Sequence, residues 1–490
     1  MNEAAAREVV LVRALETTET GRALWSDEDR AWASRAAAEV VGAGAPPERF
    51  IARRAALAVE RLAEAHPGIR RALRAATWRP WVGTALVLAA FVAGAAVDRI
   101  GAPQRVNVLA FPLIGILAWN LLVYAGILLH GTWGAVRRED QKVGPIGGAL
   151  TRLARGAPAL ADAARDARLG GVLAGFAQGW ARVGARLHAA RVAAVLHRAA
   201  FAFALGAVAG LYVRGLVLEY RAGWESTFLD PGTIERVLGF VLGPAAALTG
   251  IELPDSARLE AMRLGAGGTG ENAAPWIHLY AVTLALVVLV PRALLALGTG
   301  WSARRLARAL PVPLDEAYFQ RLGRLVTGET ARVRVVPYSY QLSPQATLGL
   351  EAVLRRVFGG RVEVSIAPAV AWGGEDALPR DLAPDGPLAL VLVVFNFAAT
   401  PEPENHGALL AALLAGAGAR APLLALADEA GFRARFPADS LRLTKRREGW
   451  RTLAGERGVG LVFADLEQPE LAIAEAELNE AIERRARAAA

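Results

Sequence analysis

Four long apolar runs, at residues 81–97, 108–129, 192–218 and 276–298, stand out from a chain that is otherwise charged and helix-favouring. They suit the roughly 30 Å hydrocarbon core of a bilayer, which takes about 20 helical residues to cross. The first is short but uncharged, and Trp78, Arg79 and Trp81 can anchor it at the lipid–water boundary. The second carries Pro112 in its first turns and Asn120 inside it. An amide in hydrocarbon reads first as a hydrogen bond to a neighbouring helix, ahead of an ion ligand. In the third, Gly206 and Gly210 give the G-x-x-x-G spacing of a close helix contact. In the fourth, Pro291 and Arg292 fall near one end, where Pro291 can kink the helix and Arg292 can snorkel to the boundary.

Around these runs the periodicity is of another kind. Residues 1–79 read as helices of a small cytoplasmic bundle. Ser26 is an N-cap ahead of Asp27, Glu28 and Asp29, and Pro46-Pro47 opens a later helix. Residues 131–191 are arginine-rich. From about residue 160 they take an amphipathic pattern, with Leu169, Val172, Phe176, Trp180, Val183 and Leu187 near one face. That face fits either the membrane surface or a soluble domain. After residue 310 strand-like runs at 332–337, 361–366, 388–395, 422–427 and 460–464 alternate with helical stretches near 344–358, 402–416, 429–435, 440–457 and 467–487. This alternation predicts a parallel, doubly wound, Rossmann-like α/β domain over 311–490.

Charge orients the spans. The segment 219–275 is acidic, whereas the stretches before 80, from 131 to 191 and after 298 are rich in arginine. The positive-inside tendency then puts 219–275 outside, in the periplasm, and both termini in the cytoplasm, in a bacterial inner membrane. The fold class expected is thus an α-helical membrane protein with four transmembrane helices, an N-terminal helical region and a C-terminal α/β domain. Within the outside segment, 237–248 is apolar but too short to cross, and Asp230-Pro231 caps it. The exit of the third run carries Arg214, Glu219, Arg221 and Glu225, flanked by Tyr220 and Trp224. Arg214 with Glu219, or Arg221 with Glu225, is expected to pair at helical spacing. The expected role of this exit is an outward-facing surface.

Several chemistries are excluded or weakened. The 490 residues contain no cysteine, so disulfides, thiolate nucleophiles and Cys-based metal sites are absent. The net charge of +8 is explained by arginines flanking the spans, and no aromatic-interleaved basic stripe points to nucleic acid. The only lysines, Lys142 and Lys445, lie in no G-x-x-x-x-G-K-S/T context, which argues against a P-loop enzyme. Gly265, Gly267 and Gly270 match G-x-G-x-x-G but have no strand before them. The ends of the predicted strands place Asn396, Asp428 and Asp465 at the sheet edge where such folds bind ligands. Thr400-Pro401 reads as a helix start, with Glu402, Glu404 and His406 beside it. Glu402, His406, Asp428 and Asp465 could gather round a divalent cation, but strand-end acids serve more often as caps, and a partner-binding edge fits better. No cofactor is called for.

Several stretches together resemble an uncharacterised bacterial membrane family, a domain-of-unknown-function family. They are LVRALETTETGRALWSDEDR, RGLVLEYRAGWESTFL, APWIHLYA, VLVPRALLA, FNFAATPEPENHGALL and KRREGW. The family has no assigned activity, so the resemblance implies no catalytic residues. It does imply a partner, because such genes sit beside one for a GTPase-like protein. The expected function is a non-enzymatic membrane component whose α/β domain docks that partner. The alternatives are a homo-oligomeric channel or transporter subunit, with Asn120, Arg214 and Arg292 as its polar groups, and a cytoplasmic-domain hydrolase.

Overall fold

A computed structural model describes residues 1–42, 44–97, 105–108, 111–136, 169–264, 270–359, 361–375, 388–416, 421–436 and 440–489. The chain is mostly helical, with a three-stranded and a five-stranded sheet among the described residues.

The N-terminal helices start where their caps direct. Ser26 and Asp29 form a capping box at the start of Asp27–Val41, and Pro47 opens Pro47–Ala65. These helices and Glu3–Thr17 share one apolar cluster with Gly170–Val183 and Ala317–Thr327, through residues such as Leu11, Phe50, Phe176, Trp180 and Phe319. The amphipathic stretch therefore packs on the layer of N-terminal helices; its residues 160–168 and Arg137 lie outside the described residues. At the heart of this layer Glu16 is buried and accepts from Arg54 Nη2 (2.7 Å), Trp25 Nε1 (3.1 Å) and the Tyr318 hydroxyl (2.9 Å). Burial pushes the Glu16 carboxyl up, but the Arg54 charge and hydrogen bond outweigh it and leave it below its usual value.

Among the described residues three helices are long and apolar enough to cross a membrane: Pro67–Ala96, Ala185–Val217 and Ala274–Arg308. Only 11%, 44% and 28% of their most apolar stretches is buried inside the protein. The rest of that apolar surface is exposed, which suggests a membrane protein. The second apolar run forms a further helix, Phe111–Val136, whose Trp119, Leu122, Leu128 and Leu129 are exposed. The glycine pair of the third run has a steric reason. A Cβ on Gly206 would meet Phe91 O at 2.1 Å, and one on Gly210 would meet Ala95 O at 2.6 Å. Helices Ala185–Val217 and Pro80–Ala96 thus touch backbone to backbone, as only small residues permit.

The segment between the third and fourth runs is built differently from the expected helical exit. The helix ends at Val217, and β2 (Arg221–Gly223) pairs in parallel with β1 (Arg105–Asn107) and antiparallel with β3 (Glu271–Asn272). Helical spacing does not extend past Val217, so it sets neither of the expected Arg–Glu pairs. The adjacent charges Arg221 and Glu219 lie 3.9 Å apart instead. The helix capped by Asp230 runs from Pro231 to Thr249, longer than the apolar run, and tolerates Pro244 inside it.

The C-terminal sheet has the order β5-β4-β6-β7-β8, all parallel: β4 Ala331–Tyr338, β5 Val362–Ile366, β6 Leu390–Asn396, β7 Leu423–Asp428 and β8 Gly460–Ala464. Its two faces carry separate apolar clusters, one centred on Leu350 and Leu478, the other on Leu410 and Trp450. The central β6 is buried on both faces, which is why its sequence is continuously apolar. Neither cluster is shared with the N-terminal layer. The two regions meet largely through charge. Arg356 pairs with Asp27 (2.7 Å) and Glu475 (2.8 Å), Arg321 pairs with Glu475, and Arg22 donates to Ala472 O at 2.7 Å. The chain enters the sheet domain through Gly328, at φ +72°.

Candidate functional site

Pro291 organises the first cluster. It has no N–H to offer Val287 O four residues back, and its ring crowds that carbonyl. The helix widens into a π turn at Ala285–Leu289, where Val290 N–H reaches back to Ala285 O. The Val287 carbonyl instead accepts the Tyr124 hydroxyl at 3.1 Å. On the next residue, Arg292 Nε donates to Asn120 Oδ1 at 2.7 Å, and Nη1 lies 3.0 Å from His197 Nδ1. The guanidinium stands 5.1 Å from the centre of the Tyr124 ring. Arg292 is 4% exposed, Asn120 4% and His197 8%.

Arg292 therefore does not snorkel. It turns inward and joins three helices, Phe111–Val136, Ala185–Val217 and Val290–Arg308. Among the described residues no carboxylate pairs with it. Because arginine has no acceptor, His197 Nδ1 must accept, which makes its ring neutral. Burying a charge is costly unless it is paired, so an arginine buried among neutral groups marks a candidate site. Asn120 and Arg292 were legible as candidates. His197 was not, because it sits at the arginine-rich entry of its helix and reads there as a boundary residue.

Among the described residues the exit of the third helix carries no such cluster. Arg214 donates to Ala95 O at 2.9 Å. Trp224 is fully buried and donates to Leu259 O at 2.6 Å, under the Arg263 guanidinium. Glu219 and Glu225 are exposed. A cavity of about 250 Å³ is lined by residues including Glu252, Arg258, Glu271 and Trp276, and its Arg258–Glu271 pair closes at 2.8 Å.

At the carboxyl edge of the five-stranded sheet, polar groups satisfy one another. Asp428 Oδ1 accepts from the N–H groups of Ala430 (3.1 Å) and Leu466 (3.0 Å), and Oδ2 accepts the Tyr340 hydroxyl at 2.6 Å. Burial raises the Asp428 carboxyl above its ordinary value, against the pull of those hydrogen bonds. Asp465 caps its own turn by accepting from Glu467 and Gln468 N–H, both at 3.0 Å. Asn396 does the same for Ala398 at 3.0 Å. His406 is boxed by Tyr338, Trp372, Phe395 and Trp450, with ring centres 5.0–5.5 Å away, and burial lowers its proton affinity. Its Nδ1 accepts from Glu402 N–H at 3.2 Å. The expected helix start at Thr400-Pro401 does not occur. Pro403 disfavours helical geometry at Glu402, and the helix begins at His406 instead. Glu404 lies in the turn before it. Glu402, His406, Asp428 and Asp465 do not converge: among the described residues no group of three or more His, Asp or Glu is placed to hold a metal.

This edge does not suit a phosphate. Ser343, which caps the helix after β4, donates to the Glu467 carboxylate at 2.9 Å, and Glu402 lies by the start of the helix after β6. Carboxylates thus stand near both helix N-termini at the point where the strand order reverses, where a phosphate would have to sit. Residues that the sequence did not single out complete the edge: Tyr340 and Trp450, whose signal was the aromatic content of 338–340 and 450, and Glu375, which accepts the Tyr338 hydroxyl and had no local signal.

Residues 151–337 match a family model described as "Protein of unknown function (DUF2868)", a stretch that includes His197, the exit segment and Arg292 but not Asn120. Comparison with curated proteins gives no match.

Proposed function

We propose that the chain is a non-enzymatic integral protein of a bacterial inner membrane. Its four spans anchor a cytoplasmic Rossmann-like domain, and that domain docks a GTPase-like partner. The observation that carries this reading is the carboxylate-lined, self-satisfied edge of the five-stranded sheet, which is suited to presenting a surface and unsuited to holding a nucleotide phosphate. The helix Phe111–Val136 serves as the second span, with an exposed apolar face like those of the other three. Co-purification of the full chain with the GTPase-like protein from mild detergent is the test. No association at native expression sinks the reading. Nucleotide binding by residues 311–490 would support the hydrolase alternative instead.

A second reading, a subunit of an oligomeric channel or transporter, is favoured by the Arg292 cluster alone. Four helices per chain do not enclose a pore, so copies must assemble. Unchanged ion flux in liposomes on replacing Asn120 and Arg292 by leucine would count against it.

A further inference from the structure

The buried guanidinium of Arg292 has more donors than its neighbours can accept. Arginine offers five N–H groups in a planar fork. Asn120 Oδ1 takes one and His197 Nδ1 takes a second. The Tyr124 oxygen, which lies against the guanidinium, can take a third while its own proton serves Val287 O. Two donors are then left without an acceptor among the described residues, and the positive charge faces only neutral groups and the Tyr124 ring.

The position makes this shortage matter. Trp301 is 63% exposed, carries Arg305 over its ring, and marks one membrane boundary. Arg292 is nine residues before it, which at 1.5 Å per residue places it about 13 Å deeper along the helix. At that depth bulk water is not the ready acceptor. His197 and Asn120 are neutral and cannot balance the charge.

We infer that Arg292, with His197, Asn120 and Tyr124 around it, binds one small anion group between the helices. The chemistry required is a single negative charge with lone pairs for two donors of the fork. A halide-sized free anion or the phosphate of an anionic lipid headgroup both supply it. The inference rests on the reading that these helices lie in a bilayer.

The test uses the full chain in nanodiscs of phosphatidylcholine alone. Thermal unfolding is followed as sodium gluconate is replaced by sodium chloride or bromide at constant ionic strength. A parallel arm keeps gluconate and adds phosphatidylglycerol to the nanodisc. A saturable rise of a few degrees in the midpoint, in either arm, is the expected result, since a ligand bound only to the native state stabilises it by mass action. The arm that responds identifies the source. Arg292→Gln abolishes the rise, while Arg304→Gln at the boundary keeps it. No rise in either arm overturns the inference, as does a rise that persists in Arg292→Gln. Should Arg292→Gln fail to fold, the unsubstituted protein decides: a site saturates, and a general salt effect climbs linearly. Extraction of membranes with carbonate separates the two failures. A chain that washes off defeats the membrane reading, whereas one that stays and ignores anions defeats only the anion site.

Discussion

Two arginines are buried almost equally, Arg54 at 3% exposure and Arg292 at 4%, and they are held in opposite ways. Arg54 lies in the N-terminal layer and meets a carboxylate, Glu16, that is itself fixed by Trp25 and Tyr318. Arg292 lies among the apolar helices and meets an amide, an imidazole and an aromatic face. The first is a closed account of charge and the second an open one. A closed pair is a structural fastening, whose loss is felt as stability. An open cation is poised for something that comes and goes.

The comparison breaks most sharply at Arg54. Arg54→Leu leaves Glu16 a buried carboxylate without its ion-pair partner, facing only the more distant charges of Arg30 and Arg321, and the expected loss is about 3–5 kcal/mol. Hydrogen exchange along Glu3–Thr17, read beside the thermal midpoint, measures it. Acid gives a weaker version of the same effect. The folded-state proton affinity of Glu16 is lowered, so its contribution is full above the unfolded value near 4.5 and is lost as pH falls through the lower folded value. Exchange in the N-terminal helices should therefore accelerate below about pH 4.5, with protection unchanged from pH 6 to 8. Arg292→Leu is the contrasting case. It strands only neutral partners, and in anion-free nanodiscs it should cost about 1 kcal/mol or less, a small fraction of the Arg54 effect. Equal losses at the two sites would erase the distinction between them. Smallest of all is Asp428→Asn. One oxygen keeps both backbone N–H bonds, the amide can turn to the Tyr340 oxygen, and the carboxyl that burial disfavours as an anion is gone. A change within about 0.5 kcal/mol of zero at pH 7 is expected from denaturant unfolding, with Asp428→Ala clearly worse because it leaves buried N–H groups unmet.

Much of the fold was written locally. The run 390–396 is apolar on both faces because it is central and parallel, and the caps at Ser26 and Asp230 announce their helices within a few residues. What the sequence hid is non-local. Glu16 and Tyr318 are 302 positions apart, and neither stands out where it lies. The three-stranded sheet is made of pieces two or three residues long, too short for any periodicity. At 400–406 a local signal misled, because Pro401 promised a helix that Pro403 forbade. Asn120 and Arg292 were visible as polar residues in apolar runs. That they meet, and that His197 joins them, depended on a helix opened by Pro291.

The seam between the N-terminal helices and the five-stranded sheet has its own consequence. It is stitched by Asp27, Arg356, Glu475, Arg321 and Arg22, not by a shared apolar cluster. Parting it would bare wettable groups that hydrate at once and leave little greasy surface to clump. The clasp should loosen with ionic strength and re-form when salt is withdrawn. With Gly328 as the single-chain tether, the sheet domain is attached more like a magnetised door than a glued panel.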